Sequence, residues 1–305
     1  MSLIKKYYLN KGRILGSGKY SKVYMGYNIN TKEPCAIKKI YLNTDIKISH
    51  LRKEIEIMNN IKNNPHPNIV ECLDIYEEED LVYIILEYCK CGDLSKLIKM
   101  PIQEKFVKFY FRQFNDGIQY LRDNNLYHRD LKPKNILITD NFKKLKIADF
   151  GLADYRDDNN SICGSPLYMA PELLNKIGYS EKTDLWSIGL ILYEMLYGVH
   201  PYHKCKNYND LLEYNNNNMI NIPPKLNSNI EVSISCINLL KSLLKKNTSE
   251  RITWDDFIKH NWFKNQEELD REYELENDYD INVVSDISDI SDSSNENNLF
   301  ELELS

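Results

Sequence analysis

His128-Arg129-Asp130-Leu131-Lys132-Pro133-Lys134-Asn135, followed fourteen residues later by Asp149-Phe150-Gly151, is the stretch on which the reading of this chain turns. It gathers two carboxylates, an amide oxygen and a lysine within a short span. Phosphoryl transfer needs those parts: a carboxylate beside the attacking hydroxyl, hard oxygen ligands for Mg²⁺, and cations against the charge on the moving group. In that assignment Asp130 orients the hydroxyl and accepts its proton, and Lys132 contacts the γ-phosphate. Asn135 and Asp149 coordinate Mg²⁺ through oxygen.

Upstream, Gly16-Ser17-Gly18-Lys19-Tyr20-Ser21-Lys22-Val23 lies between two strand-like runs. Glycines let a backbone approach closely and turn successive N–H groups toward phosphate oxygens. The same residues also suit a plain Gly-rich hairpin, and taken alone they leave both readings open. Lys38 ends the apolar run Cys35-Ala36-Ile37. It either extends to water along its own stem or meets Glu54, sixteen residues on, as an ion pair that holds the ammonium toward phosphates. Glu56 is expected to be solvated.

The first 90 residues carry β-branched and aromatic runs at 13–15, 22–27, 35–41, 69–76 and 81–88, which predict antiparallel strands. Leu51, Ile55, Met58 and Ile61 recur at helical spacing, so 49–62 is the one helix of this part. Beyond Asp93 helical patterns dominate, at 93–99, 103–123, 181–198, 232–245 and 254–259. A small sheet-rich lobe followed by a larger helical one places a ligand cleft near residue 90. Asn215 to Asn218 is read as a loop insert.

With 305 residues, 42% of them apolar and 28% charged, the chain is neither a disulfide-stapled mini-protein nor disordered throughout. The net charge of −6 hides a boundary. Residues 264–305 hold 14 acidic and two basic side chains, leaving 31 acidic and 37 basic in residues 1–263. A body of +6 is thus joined to a stretch of −12, read as a solvated, disordered extension. Seven scattered cysteines form no zinc spacing or disulfide framework, which predicts a reducing compartment. The opening residues carry no hydrophobic signal and Leu185 to Tyr197 is shorter than the roughly 20 residues of a membrane span, so a cytoplasmic or nuclear protein with a buried helix there is expected.

Over residues 7–263 the chain resembles the eukaryotic-type protein kinases. The Gly-rich loop, Lys38, Glu54, the catalytic loop and Asp149-Phe150-Gly151 match in order and spacing, with Ser21 where the fuller pattern has a third glycine. His66-Pro67-Asn68-Ile69-Val70, Ala170-Pro171-Glu172, Asp184-Leu185-Trp186-Ser187-Ile188-Gly189 and Arg251 match further. The resemblance implies an α+β, two-lobed fold, with a β-rich lobe over about 7–88 and a helical lobe over about 92–263. It also implies ATP and Mg²⁺ as cofactors. In the matching positions Leu15, Gly16, Ser17 and Gly18 cover the nucleotide and Lys38 and Glu54 hold its phosphates. Leu86 is the gatekeeper, the backbone of Glu87 and Cys89 faces adenine, and Val23, Ala36 and Leu137 sandwich the ring. Met58, Cys72, His128 and Phe150 form an internal spine, where Cys72 is smaller than the usual leucine. Glu172 is expected to pair with Arg251, and Asp184 to anchor the catalytic loop. The thiols of Cys89 and Cys91 are expected to be unreactive.

Lys132-Pro133-Lys134-Asn135 and Gly164-Ser165-Pro166 resemble serine/threonine rather than tyrosine kinases. Residues 163–172 resemble the autophagy-initiating and calmodulin-dependent-like branches. Asp93 and Glu194 match positions that select arginine upstream of the target, while Lys134 stands where those enzymes have an acid, arguing against strong arginine selection. Leu167 and Met169 are expected to flank the seat of the residue after the target, with apolar residues tolerated there. Arg129 is expected to pair with a phosphate on Ser161. The implied partners are protein substrates and an activating kinase, with no nucleic acid, no membrane and a monomeric state. A catalytically silent scaffold on the same fold would lack one of Lys38, Asp130, Asn135 or Asp149, and a small-molecule phosphotransferase would not need the segment from Ser161 to Glu172.

Overall fold

The computed structural model describes residues 2–18, 21–42, 48–155, 164–227 and 230–263; Ser161, Cys163 and residues 264–305, on which the regulatory and tail expectations fall, lie outside them. In chain order the first lobe comprises β1 (Ser2–Ile4), β2 (Tyr7–Ser17), β3 (Ser21–Asn28), β4 (Pro34–Tyr41), α1 (Ile48–Asn63), β5 (Cys72–Glu77) and β6 (Leu81–Glu87). The strands form one sheet in the order β1-β2-β3-β4-β6-β5, all neighbours antiparallel. The sheet begins at Ser2, ahead of residue 7.

Side chains alternate across a strand, and β4 uses both faces. Cys35 and Ile37 enter a small core with Tyr7, Leu9, Tyr24 and Ile85. Ala36, Lys38 and Ile40 point the other way, toward α1 and the cleft. Ala36 stands opposite Leu86 and Lys38 opposite Ile84 in the antiparallel register, so these four share a face. Along α1, Leu51, Glu54, Met58 and Ile61 are buried at spacings of three and four residues. Glu54 therefore sits on the apolar face of its helix, where only a charge partner makes a carboxylate tolerable.

The second lobe comprises α2 (Glu104–Asp123), β7 (Leu126–Tyr127), β8 (Ile136–Thr139), β9 (Lys144–Ile147), β10 (Asp154–Tyr155), α3 (Pro171–Leu174), α4 (Thr183–Tyr197), α5 (Tyr208–Asn217), β11 (Lys225–Asn227), β12 (Ile230–Glu231), α6 (Ile234–Leu243) and α7 (Trp254–Ile258). Helix α4 is buried almost all round, as its apolar sequence requires, and Trp186 at its start is fully enclosed. The 93–99 pattern yields only a 3₁₀ turn, Leu94–Lys96, capped by Asp93.

The Asn-rich run corrects the loop reading. Asn215 to Asn217 form the last turn of α5, whose Leu211 and Asn215 are buried. Asn215 is 1% exposed, accepts from Tyr202 Oη at 3.3 Å, and its carbonyl accepts from Lys246. Partners from two distant segments hold a helix that low-complexity composition disfavours. Among the described residues no helix is long and apolar enough to cross a membrane.

Candidate functional site

Between the lobes the chain passes through Tyr88–Cys91, and β8 runs alongside it. Cys91 N–H donates to Ile138 O at 3.2 Å and Ile138 N–H to Gly92 O at 2.8 Å. Leu137 on β8 is thereby set next to the connection, opposite Asp93. Across the cleft, the shared sheet face presents Ala36 and Leu86, with Val23 of β3 in register with Lys38. Leu15 and Gly16 lie on β2, where Gly16 pairs with Val23 and Ser17 with Lys22; Gly18 N–H closes the turn by donating to Ser21 O at 2.8 Å. β2 and β3 thus pair on either side of the Gly-rich stretch, and Leu15 on β2 is 40% exposed.

Lys38 does not reach for water. Its Nζ lies 2.6 Å from Glu54 Oε1 and 3.0 Å from Asp149 Oδ1. Burial works against the ammonium, but Glu54 and then Asp149 outweigh it and raise its pKa above the ordinary lysine range. In turn Lys38 holds the Asp149 carboxyl at about 2 against the opposing effect of burial, with smaller help from His128 and Lys132. Half of the Asp149 side chain faces the open cleft while protein encloses the rest. Phe150 is buried against His128, ring centroids 5.3 Å apart, and Met58 and Cys72 are buried in the same core.

Asp130 is held by three residues. Ser165 N–H and Oγ–H both donate to its Oδ1 at 2.9 Å. Lys132 Nζ lies 2.7 Å from Oδ2 and 2.6 Å from Ser165 Oγ. Asn135 Nδ2 donates to Asp130 O at 2.9 Å and to Oδ2 at 3.0 Å. With that nitrogen committed, Oδ1 is the polar atom with which Asn135 can meet a cation. It and the ionised Asp149 carboxylate make a hard-oxygen donor set suited to Mg²⁺. Among the described residues no cluster of three or more His, Cys, Asp or Glu side chains is arranged to hold a metal.

The catalytic loop is fastened from below. Asp184 accepts from the backbone N–H of His128 at 3.1 Å and of Arg129 at 3.2 Å; burial raises its pKa, and His128, Tyr179 and these bonds counter that rise. Arg129 has φ 68° and Asp149 φ 64°, left-handed values that cost a side-chain-bearing residue free energy and recur at functional sites. Gly164, at φ 110°, brings Ser165 to Asp130; a Cβ there would stand 2.7 Å from Arg129 O. Glu172 and Arg251 form the expected pair, bidentate at 2.7 and 2.9 Å and buried.

Some expectations change. Met169 is 3% exposed and lines a small cavity with Asp130, Gly164 and Ser165, while Leu167 is half-buried. Glu194 accepts from Tyr168 Oη at 2.6 Å and Asp93 caps the 3₁₀ turn through Ser95 N–H at 3.0 Å, so both carboxylates are engaged within the chain. Burial pushes the Cys89 thiol up to about 12, which makes it inert near neutral pH. Two residues were missed from sequence. Lys146, on β9, is buried and ion-paired with Glu87 behind the hinge, and Glu87 Oε1 also accepts from Glu71 N–H at 2.7 Å. Asp154 is buried beside Arg129. Lys144 and Lys146 alternate with Leu145 and Ile147, a pattern that points Lys146 to solvent, so the sequence carries no signal that it is enclosed.

Comparison with known proteins fits this geometry. The family described as protein kinase domain matches residues 9–263. The chain is 38% identical over 277 residues to serine/threonine-protein kinase atg1 of Dictyostelium discoideum, covering 86% of this chain and 40% of that protein. It is 39% identical over 260 residues to serine/threonine-protein kinase ULK3 of Homo sapiens, covering 81% and 53%. Against serine/threonine-protein kinase ATG1c of Arabidopsis thaliana it is 36% identical over 269 residues, covering 85% and 36%. The chain spans about half the length, or less, of these relatives.

Proposed function

The chain belongs to the protein kinase domain family, and from that premise we propose that it transfers the γ-phosphoryl group of ATP to serine or threonine hydroxyls of proteins. The acceptor oxygen bonds to the γ-phosphorus as the bond to the β–γ bridging oxygen breaks, and ADP leaves. Asp130 accepts the hydroxyl proton. Its carboxylate is fixed by Ser165, Lys132 and Asn135 before substrate arrives, so orientation costs little at the moment of reaction. Lys132 faces the moving phosphoryl, and Lys38, steadied by Glu54, faces the other phosphates. Asn135 and Asp149 would hold Mg²⁺, which when bound would supply neutralisation of phosphate charge.

Leu15, Gly16, Ser17 and Gly18 cover the nucleotide, and Val23, Ala36, Leu86 and Leu137 enclose adenine against the backbone of Glu87 and Cys89. The catalytic unit is residues 7–263. The observations that carry this reading are the Glu54–Lys38–Asp149 row and the Asp130 carboxylate held by Lys132, Ser165 and Asn135. Turnover on a degenerate peptide array tests it: Asp130→Ala should lose roughly 10²–10⁴-fold in rate. Equal signal from variant and wild type would refute the assignment.

A further inference from the structure

Arg129 precedes Asp130, and the sequence reading reserves it for a phosphate on Ser161. Its Nη1 lies 3.0 Å from Oδ2 of Asp154, five residues past Asp149. The guanidinium side chain is 2% exposed and that of Asp154 12%. The guanidinium also lies over the ring of Tyr179, 5.2 Å from its centroid. The second carboxylate oxygen, Oδ1, accepts from Lys53 Nζ at 2.8 Å and from Tyr155 N–H at 2.9 Å.

Lys53 is the neighbour of Glu54 on α1. Further along the same helix Glu56 Oε1 accepts from Tyr155 Oη at 2.9 Å, and Asn60 Nδ2 donates to that hydroxyl at 3.0 Å. Positions 53, 56 and 60 are three and four residues apart, so they form one stripe of α1. The backbone completes the seam. β10 pairs with β7, Asp154 opposite Tyr127, directly ahead of the catalytic loop.

One buried carboxylate thus joins the loop carrying Asp130 to the helix carrying Glu54, and it neutralises a cation on each. A phosphate brought to Arg129 would contribute negative charge and acceptor oxygens; Asp154 already contributes both from within the chain. We propose that Asp154 is a positioning residue that holds the catalytic loop and α1 in working geometry, so that turnover does not require a phosphate on the segment from Asp149 to Glu172. This rests on the phosphoryl-transfer reading of the site. Asp154 touches no reacting atom and acts through Arg129 and through Lys53 beside Glu54.

The test uses the full chain, treated with phosphatase until its intact mass shows no phosphate, with initial rates of peptide phosphorylation measured well below the melting temperature. Phosphate-free wild type should turn over within about twofold of the phosphorylated form. Asp154→Asn preserves shape but removes the charge, and kcat should fall roughly 3- to 30-fold, with Asp154→Glu recovering part of the loss. A merely structural role would lower the melting temperature and leave kcat at low temperature intact, so that pattern overturns the proposal. So does a phosphate-free wild type that is inactive until phosphorylated. If Asp154→Asn does not fold, the comparison of phosphate-free and phosphorylated wild type decides alone. Asp130→Ala run in parallel separates the two claims: full activity there refutes the chemistry of the site, whereas its loss beside a phosphate-dependent wild type refutes only the role of Asp154.

Discussion

Replacing Arg251 by methionine should be among the most damaging single changes available outside the cleft. Arg251 donates to both carboxylate oxygens of Glu172, to Lys182 O at 2.9 Å, to Lys245 O at 3.0 Å and to Lys246 O at 3.4 Å, and its guanidinium lies 5.3 Å from the centroid of Trp186. The pair is almost wholly enclosed, with side-chain exposures of 0% and 6%. Methionine removes the charge and leaves the Glu172 carboxylate with Thr183 Oγ1–H, at 3.1 Å, as its side-chain donor. Breaking a buried pair from one side costs about 3–5 kcal/mol because the other charge is stranded. For a domain of this size each kcal/mol lowers the melting temperature by roughly 2–4 °C, so a fall of about 6–20 °C is expected. Thermal unfolding followed by circular dichroism measures it. The double variant Glu172→Met/Arg251→Met removes the stranded charge and should regain part of the loss, since apolar replacement of a buried pair is often near neutral. A single variant that melts with the wild type, or a double variant worse than the single, would refute this reasoning.

Lys146→Met frees Glu87 behind the hinge, and the KM for ATP should rise roughly 3- to 10-fold with kcat nearly unchanged, a split that steady-state kinetics resolves. Gly164→Ala forces a side chain into a left-handed backbone against Arg129 O, at a cost of about 1–3 kcal/mol, and should lower both melting temperature and kcat by displacing Ser165 from Asp130. The pH dependence follows from Asp149, whose folded pKa of about 2 lies below its ordinary 3.8. A depressed carboxylate stabilises the fold above its unfolded pKa and loses that contribution as pH falls through the folded one. The stability difference between wild type and Asp149→Asn should therefore hold steady above about pH 4 and shrink between about pH 4 and 2, as read from denaturant unfolding at each pH.

What could be read from sequence and what could not divides by range. Asp130, Asn135 and Asp149 could be singled out because phosphoryl transfer needs side chains of those types, whereas Glu54 was only placed on the one helix of its lobe, with its pairing to Lys38 left open until the fold brought them to 2.6 Å. The adenine-facing positions came only from the resemblance to the kinase family, and the Gly-rich stretch by itself left a plain hairpin open. Asn215 was misread because its helix is held by Tyr202 and Lys246, partners that local composition does not reveal. Lys146 and Asp154 escaped notice because their partners, Glu87 and Arg129, lie 59 and 25 residues away and meet them only through folding.

The two left-handed residues that bracket the chemistry, Arg129 and Asp149, set thermal robustness against activity. Glycine at either position would relax the backbone and could make the fold sturdier, yet it would erase the cation beside Asp130 or the carboxylate that meets Lys38. A selection for heat resistance alone would find those substitutions attractive, and such a screen would discard side chains on which the proposed reaction relies. Any programme to harden this enzyme has to score turnover at every round.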